Sequence, residues 1–297
     1  MQGDDEGAAG TGTRPTEDRG RTGPIGPVAT LAQLLRSAGV RWSASSQLRV
    51  SLIRWSVLGL ILSAAAGASA GALGGRVAVG LVLDLVWWAL TSACLFAGLS
   101  LLRTYPAGTP VQRLGLPNGI TAIRAYLSVP VVLFAALPPL PLARVLFLAI
   151  ASPIAVLDAA DGFIARRGGL VTVLGRALDP IMDTVFFSLC AIASLIVGFV
   201  PPWLALLVVA RYGLPGLGFV LLYPWLRRRP ALVATWFGKV NTMAGAVTLG
   251  LSAILVLAGG PVQQVDLGLG ALLAVTAIGH FVTLWRRTFR PPATAGS

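Results

Sequence analysis

The chain has 297 residues, 56% of them hydrophobic and only 11% charged, with a net charge of +12. Soluble domains carry about 25% charged residues, so this composition excludes an ordinary soluble fold and points to an all-α integral membrane protein. The positive charge does not indicate a nucleic-acid partner. Lys239 is the only lysine and the arginines cluster at the ends of apolar runs, where cytoplasmic loops and anionic lipid headgroups account for them.

Residues 1 to about 28 mix Gly, Thr, Pro and charges of both signs, and are expected to be disordered. They lack a basic segment leading into an apolar stretch, so no signal peptide is expected. Residues 29–48 read either as a short amphipathic helix on the membrane surface or as a linker. Eight candidate spans follow, at 51–73, 78–102, 119–137, 142–160, 174–199, 203–224, 234–258 and 267–285, given the need for about 20 apolar residues per spanning helix. Short Pro/Gly/Arg-rich breaks separate them, and no internal repeat is present. Cys94 and Cys190 fall inside apolar runs, which predicts buried packing rather than a disulfide.

Arginine placement orients the chain. With the N-terminus in the cytoplasm, Arg49, Arg54, Arg103, Arg113, Arg166, Arg167, Arg227 to Arg229, Arg286, Arg287 and Arg290 share that side, against Arg76 and Arg144 opposite. The positive-inside rule then puts both termini in the cytoplasm of a multi-pass cell-membrane protein. Trp87, Trp88, Trp203, Trp225, Trp236 and Trp285 are read as aromatic-belt residues at span ends. Asp84 is expected at the interface.

Acid is scarce and unevenly spread. Of eleven acidic residues, five precede residue 19, and four of the remaining six lie in "DAADGFIARRGGLVTVLGRALDPIMD", residues 158–183. Asp158 and Asp161 are three apart and Asp179 and Asp183 four apart, so each pair shares a helix face. The fourth and fifth spans meet at the cytoplasmic boundary, which brings all four to one depth. An Asp in mid-bilayer costs roughly 2.5–3.5 kcal/mol, and mutual repulsion adds to that. Divalent cations relieve both, and all-oxygen ligands select hard ions, Mg²⁺ or Mn²⁺. Two bridged ions suit in-line displacement at phosphorus.

The neighbouring residue types fit a bulky anionic ligand. Gly162, Ala165 and Gly175 are small enough for close approach to the backbone, and Arg166 can pair with phosphate oxygens or anchor at the interface as Arg167 is expected to. Together, Asp158-x2-Asp161-Gly162-x2-Ala165-Arg166-x8-Gly175-x3-Asp179-x3-Asp183 resembles the signature of the CDP-alcohol phosphatidyltransferase family at every fixed position. Upstream, "PNGITAIRAYLSVP" at 117–130 resembles the family's first core helix.

The resemblance covers about residues 115–287 and implies three parts: a tail at 1–48, two additional spans with a linker at 49–114, and a six-span catalytic unit at 115–290. It implies Mg²⁺-dependent transfer of a phosphatidyl group from CDP-diacylglycerol to a small alcohol, releasing CMP, in a membrane-lipid setting open to a homodimer. By position, Asp158 and Asp179 would bridge both metals and Asp161 would complete the first site. Asp183 would join the second and act as catalytic base. Gly162, Arg166 and Thr172 would contact the CDP group, with Asn118 and Thr121 on its cytidine side.

Residues outside the signature are read more openly. Asn118 is equally a helix cap or a ligand contact. Arg124 either snorkels or lines the cavity. Arg211 and Lys239, cations inside or near apolar spans, are expected to face a polar cavity and, with Arg124, to hold the phosphate of an acceptor such as glycerol 3-phosphate or inositol phosphate; the alternative, for Lys239 especially, is snorkelling to the nearby cytoplasmic end. His280 is read as a packing residue. Two other readings stand beside this one: transfer of a CDP-linked head group onto diacylglycerol, and a cation-coupled transporter. The repeats and broken helices of transporters are not evident.

Overall fold

A computed structural model of the chain describes residues 27–168, 171–222 and 236–289; the tail expected to be disordered lies almost wholly outside them. They form α1 (Pro27–Ala44), α2 (Ser46–Leu73), α3 (Val77–Ala97), α4 (Gly115–Tyr126), α5 (Ser128–Ala135), α6 (Leu140–Arg167), α7 (Val173–Ile196), α8 (Pro202–Leu222), α9 (Trp236–Ala258) and α10 (Val262–Phe289), with a 3-10 turn at Gly98–Leu101. Extended pairing among the described residues is limited to two isolated bridges. This is the all-α architecture expected where lipid cannot satisfy backbone N–H and C=O groups.

Among the described residues, each of the eight apolar runs is largely helical, and six segments are long and apolar enough to cross a membrane: α2, α3 with its 3-10 turn, α4–α5 together, the first part of α6, α7 and most of α10. The described apolar stretches of α8 and α9, 202–214 and 243–258, are shorter.

The expected third span is broken. α4 and α5 meet at Leu127, which has φ −85° and ψ 1°. Pro130 has no N–H and its ring crowds the carbonyl four residues back, that of Tyr126. The freed backbone is re-satisfied by side chains, as lipid requires: Ser63 Oγ donates to Tyr126 O at 3.5 Å and Trp87 Nε1 to Ala125 O at 2.6 Å. With 72% of its apolar window buried, α4–α5 is the axis of the bundle. α4 packs against α2, α3, α6 and α7.

α2 and α3 join through small residues. Gly59, Ser63, Gly67 and Gly71 form a buried stripe at four-residue spacing, the pattern that lets membrane helices approach closely; Gly67 and Gly71 meet α3, while Gly59 and Ser63 meet Tyr126 of α4. A Cβ on Gly80 would overlap the Gly67 carbonyl. Asp84 sits in this seam with 0% exposure and neither carboxyl oxygen hydrogen-bonded, so it is buried between helices rather than interfacial. Trp87 and Trp88 are also corrected. They lie in the middle of α3, and their indole N–H groups donate to Ala125 O and Ser56 O at 2.6 and 2.8 Å. They tie helices together instead of marking a membrane boundary. Cys190 is buried as expected, whereas Cys94 is exposed on α3, and both are free thiols.

Two apolar cores result. One runs through α5 to α10, and the other joins Ala38, Leu48, Leu52, Leu95 and Leu99 to Ala122, Tyr126, Leu174 and Leu178. The second unites the N-terminal helices with α4 and the start of α7. The stretch 29–48 is therefore mostly the helix α1, which ends at Ala44; Ser45 then caps α2, its side chain accepting from Leu48 N at 3.3 Å.

Candidate active site

Asp158, Asp161, Gly162, Ala165 and Arg166 fall on the last turns of α6; their side chains lie outside the described residues. α7 begins after Thr172, whose extended backbone (φ −113°, ψ 155°) and hydroxyl make it the N-cap, accepting from Gly175 N at 3.0 Å. Thr172 Oγ1 in turn donates to Asn118 Oδ1 at 3.0 Å, and Asn118 Nδ2 donates to Leu114 O at 2.7 Å. Asn118 and Thr172 are both buried. Asn118 is thus not the cap of α4, which starts three residues earlier at Gly115. It is the bolt between α4 and α7.

This knot also explains Gly175. A Cβ there would lie 2.8 Å from Asn118 Oδ1 and 3.3 Å from Thr172 Oγ1. The glycine makes room for the Asn118–Thr172 pair, an internal reason for it beside the ligand approach expected from the sequence. Thr121, on the next turn of α4, is buried and its hydroxyl donates to Pro117 O at 3.1 Å.

Asp179 and Asp183 share one face of α7. Asp179 is exposed. Asp183 is half-buried, and Arg124 Nη2 donates to its Oδ1 at 3.1 Å from a side chain with 1% exposure. Arg124 is expected either to snorkel or to line the cavity. Its guanidinium is buried in the bundle axis and bound to the Asp183 carboxylate, which rules out snorkelling. Pro180 lies between the two aspartates. Thr184 Oγ1, one turn on, donates to Pro180 O at 2.9 Å and Tyr212 O at 3.2 Å, fixing α7 to α8.

Arg211 lies half-buried on α8, its Nε enclosed and without a hydrogen-bond partner. His280 of α10 is within electrostatic reach of it, a juxtaposition that sequence spacing did not show. Lys239 is on α9, with its side chain outside the described residues. The structure so brings Asn118, Thr172 and Gly175 into one cluster and Arg124 with Asp183 into another.

The break between α3 and α4 is legible in the sequence, but not where it packs. Thr104 bridges to Thr172, Tyr105 N donates to Val171 O at 2.9 Å and Val173 N to Arg103 O at 2.8 Å. The linker therefore lies along the segment that joins the two Asp-bearing helices.

Residues 114–285 match the family model for CDP-alcohol phosphatidyltransferase. A Mycobacterium tuberculosis (strain CDC 1551 / Oshkosh) protein named "Probable phosphatidylglycerophosphate synthase" is 34% identical over 109 residues, which are 37% of this chain and 50% of that protein. The chain thus spans about half the length of that relative. CDP-diacylglycerol--glycerol-3-phosphate 3-phosphatidyltransferases of Bacillus subtilis (strain 168) and Escherichia coli (strain K12) are 29% and 31% identical, over 47% and 46% of this chain and 76% of each relative. The matched region holds the whole Asp158–Asp183 signature and the Asn118 cluster that braces it, and on these grounds the chain belongs to the CDP-alcohol phosphatidyltransferase family.

Proposed function

We propose that this protein transfers a phosphatidyl group from CDP-diacylglycerol to a hydroxyl of a phosphorylated polyol, releasing CMP, at the cytoplasmic boundary of the cell membrane. The observation that carries this reading is the seating of Asp183. Within an intact family signature, it is a half-buried carboxylate held by a buried arginine on the helix that also carries Asp179.

Asp158, Asp161, Asp179 and Asp183 offer only carboxylate oxygens, a donor set suited to two Mg²⁺ or Mn²⁺ ions. When bound, such ions would neutralise the diphosphate and stabilise charge on the departing CMP. Asp183 would take the proton of the acceptor hydroxyl as its oxygen bonds to the phosphatidyl phosphorus and the phosphorus–oxygen bond to CMP breaks. Arg124 keeps that carboxylate aimed. Gly162, Ala165, Arg166 and Gly175 would border the donor, while Asn118, Thr121 and Thr172 shape its cytidine side. Arg211, with Lys239, would hold the acceptor phosphate. Glycerol 3-phosphate is the first acceptor to test, since two relatives are named for it.

Purified protein is expected to release CMP from CDP-diacylglycerol only with a divalent ion and a phosphorylated polyol, in a screen that includes glycerol 3-phosphate, inositol phosphate and diacylglycerol. Asp183→Asn should lower turnover at least about 100-fold, the lower range for loss of a general base, while CMP still binds. Asp179→Ala should lose both. Metal-independent release, or full turnover in Asp183→Asn, would overturn the reading.

A further inference from the structure

We infer that the N-terminal addition supplies a wall of the nucleotide site, with Tyr105 stacking on the base of the CDP group. The inference rests on the proposed activity, and it concerns a residue outside the matched family region of 114–285.

The linker is a built structure. Arg103 bridges to Pro110, Thr104 N donates to Thr109 O at 2.9 Å, Gly108 N to Thr104 O at 2.8 Å and Val111 N to Leu102 O at 3.1 Å. Its base is tied to α1, where Arg41 Nη2 donates to Leu102 O at 3.2 Å and Val111 O at 2.8 Å. Ser45 Oγ lies 2.6 Å from Gln112 Oε1. Its outer edge pairs with 171–173 on both sides of Thr172. Contacts to α1, to the cap of α2 and to the start of α7 thus hold this loop against the joint between α6 and α7.

What the loop presents there is an aromatic ring. Tyr105 is 48% exposed, and Arg176 Cζ stands 3.9 Å from its ring centroid. The guanidinium lies over one face of the ring, so a base would stack on the other. Arg176 itself is exposed and lies one helical turn before Asp179, so a ligand resting on this pair is within a nucleotide's length of the carboxylates. A ring backed by a cation on one face, one turn from the signature carboxylate Asp179, matches a pyrimidine base joined to a diphosphate. The alternative is that Tyr105 merely anchors the loop at the lipid interface.

A water-soluble probe separates the two. CMP is titrated calorimetrically into detergent-purified full-length protein with Mg²⁺ present. Tyr105→Ala should weaken CMP binding roughly tenfold, within the range base–aromatic stacking supplies. Tyr105→Phe and Tyr105→Trp should stay within about threefold of the parent. In turnover, the donor KM should rise in Tyr105→Ala while the acceptor KM holds. If Tyr105→Ala proves unstable, Tyr105→Leu against Tyr105→Phe gives the same reading, because only Phe keeps the π face. Parental CMP affinity in Tyr105→Ala or Tyr105→Leu overturns the inference. Absence of CMP binding by the parent protein overturns the proposed activity instead.

Discussion

At the scale of single residues, Arg124 and Thr172 act through neighbours. Arg124 places a charged hydrogen bond on Asp183 from inside the bundle, and such bonds contribute about 1.5–3 kcal/mol. Arg124→Ala is expected to destabilise the protein by about that much and to lower turnover, because Asp183 loses its fixed orientation. Arg124→Lys should recover stability better than turnover, since a lysine keeps the charge but not the planar fork. Thermal melts read beside initial rates check both. Thr172→Val should cost about 1 kcal/mol for the lost cap and release Asn118, whereas Thr172→Ser should behave as the parent in melts and in CMP binding. The sequence exposed these residues by motif position. What they touch was hidden, because Asn118 and Thr172 are 54 residues apart and Arg124 and Asp183 are 59 apart.

At the scale of elements, the eight apolar runs were legible because lipid demands length and apolarity of each helix separately. The break at Leu127 was less so, although Pro130 supplies its cause. The α2–α3 seam shows what hydropathy misses. Gly67→Val would drive a branched side chain into Asp84 and the Gly80 carbonyl, and is expected to destabilise by at least about 1–3 kcal/mol, as overpacking does. Asp84→Ala has the opposite expectation. It removes a buried carboxyl that makes no hydrogen bond, a group that costs about 1–3 kcal/mol when unsatisfied, and so should leave the melting temperature unchanged or raise it. Melting both variants in one detergent tests the pair.

At the scale of the whole molecule, the two spans before the family region pack as part of the enzyme. Trp55 lies so close over Gly119 that a Cβ there would overlap the indole, and Tyr126 stands likewise over Gly59. Tyr126, with 0% exposure, is enclosed on the α2–α3 side, its hydroxyl 3.0 Å from Ser92 Oγ. A chain beginning at residue 114 would open that core and remove the loop that borders Thr172. It is expected to aggregate in detergent, or to run monodisperse with greatly weakened CMP binding; size-exclusion chromatography followed by titration tells which.

The sequence by itself determined the membrane setting, the helical segmentation and the carboxylate signature. Composition, run length and motif spacing are local properties, each readable within one segment. Only the tertiary structure decided that Arg124 bonds Asp183, that Gly175 makes room for Asn118, that Trp87 joins helices, and that the linker before α4 pairs with 171–173. Those outcomes depend on which helices meet and how closely. In a membrane that is set by small residues and interhelical hydrogen bonds, since apolar side chains gain little from leaving lipid for one another.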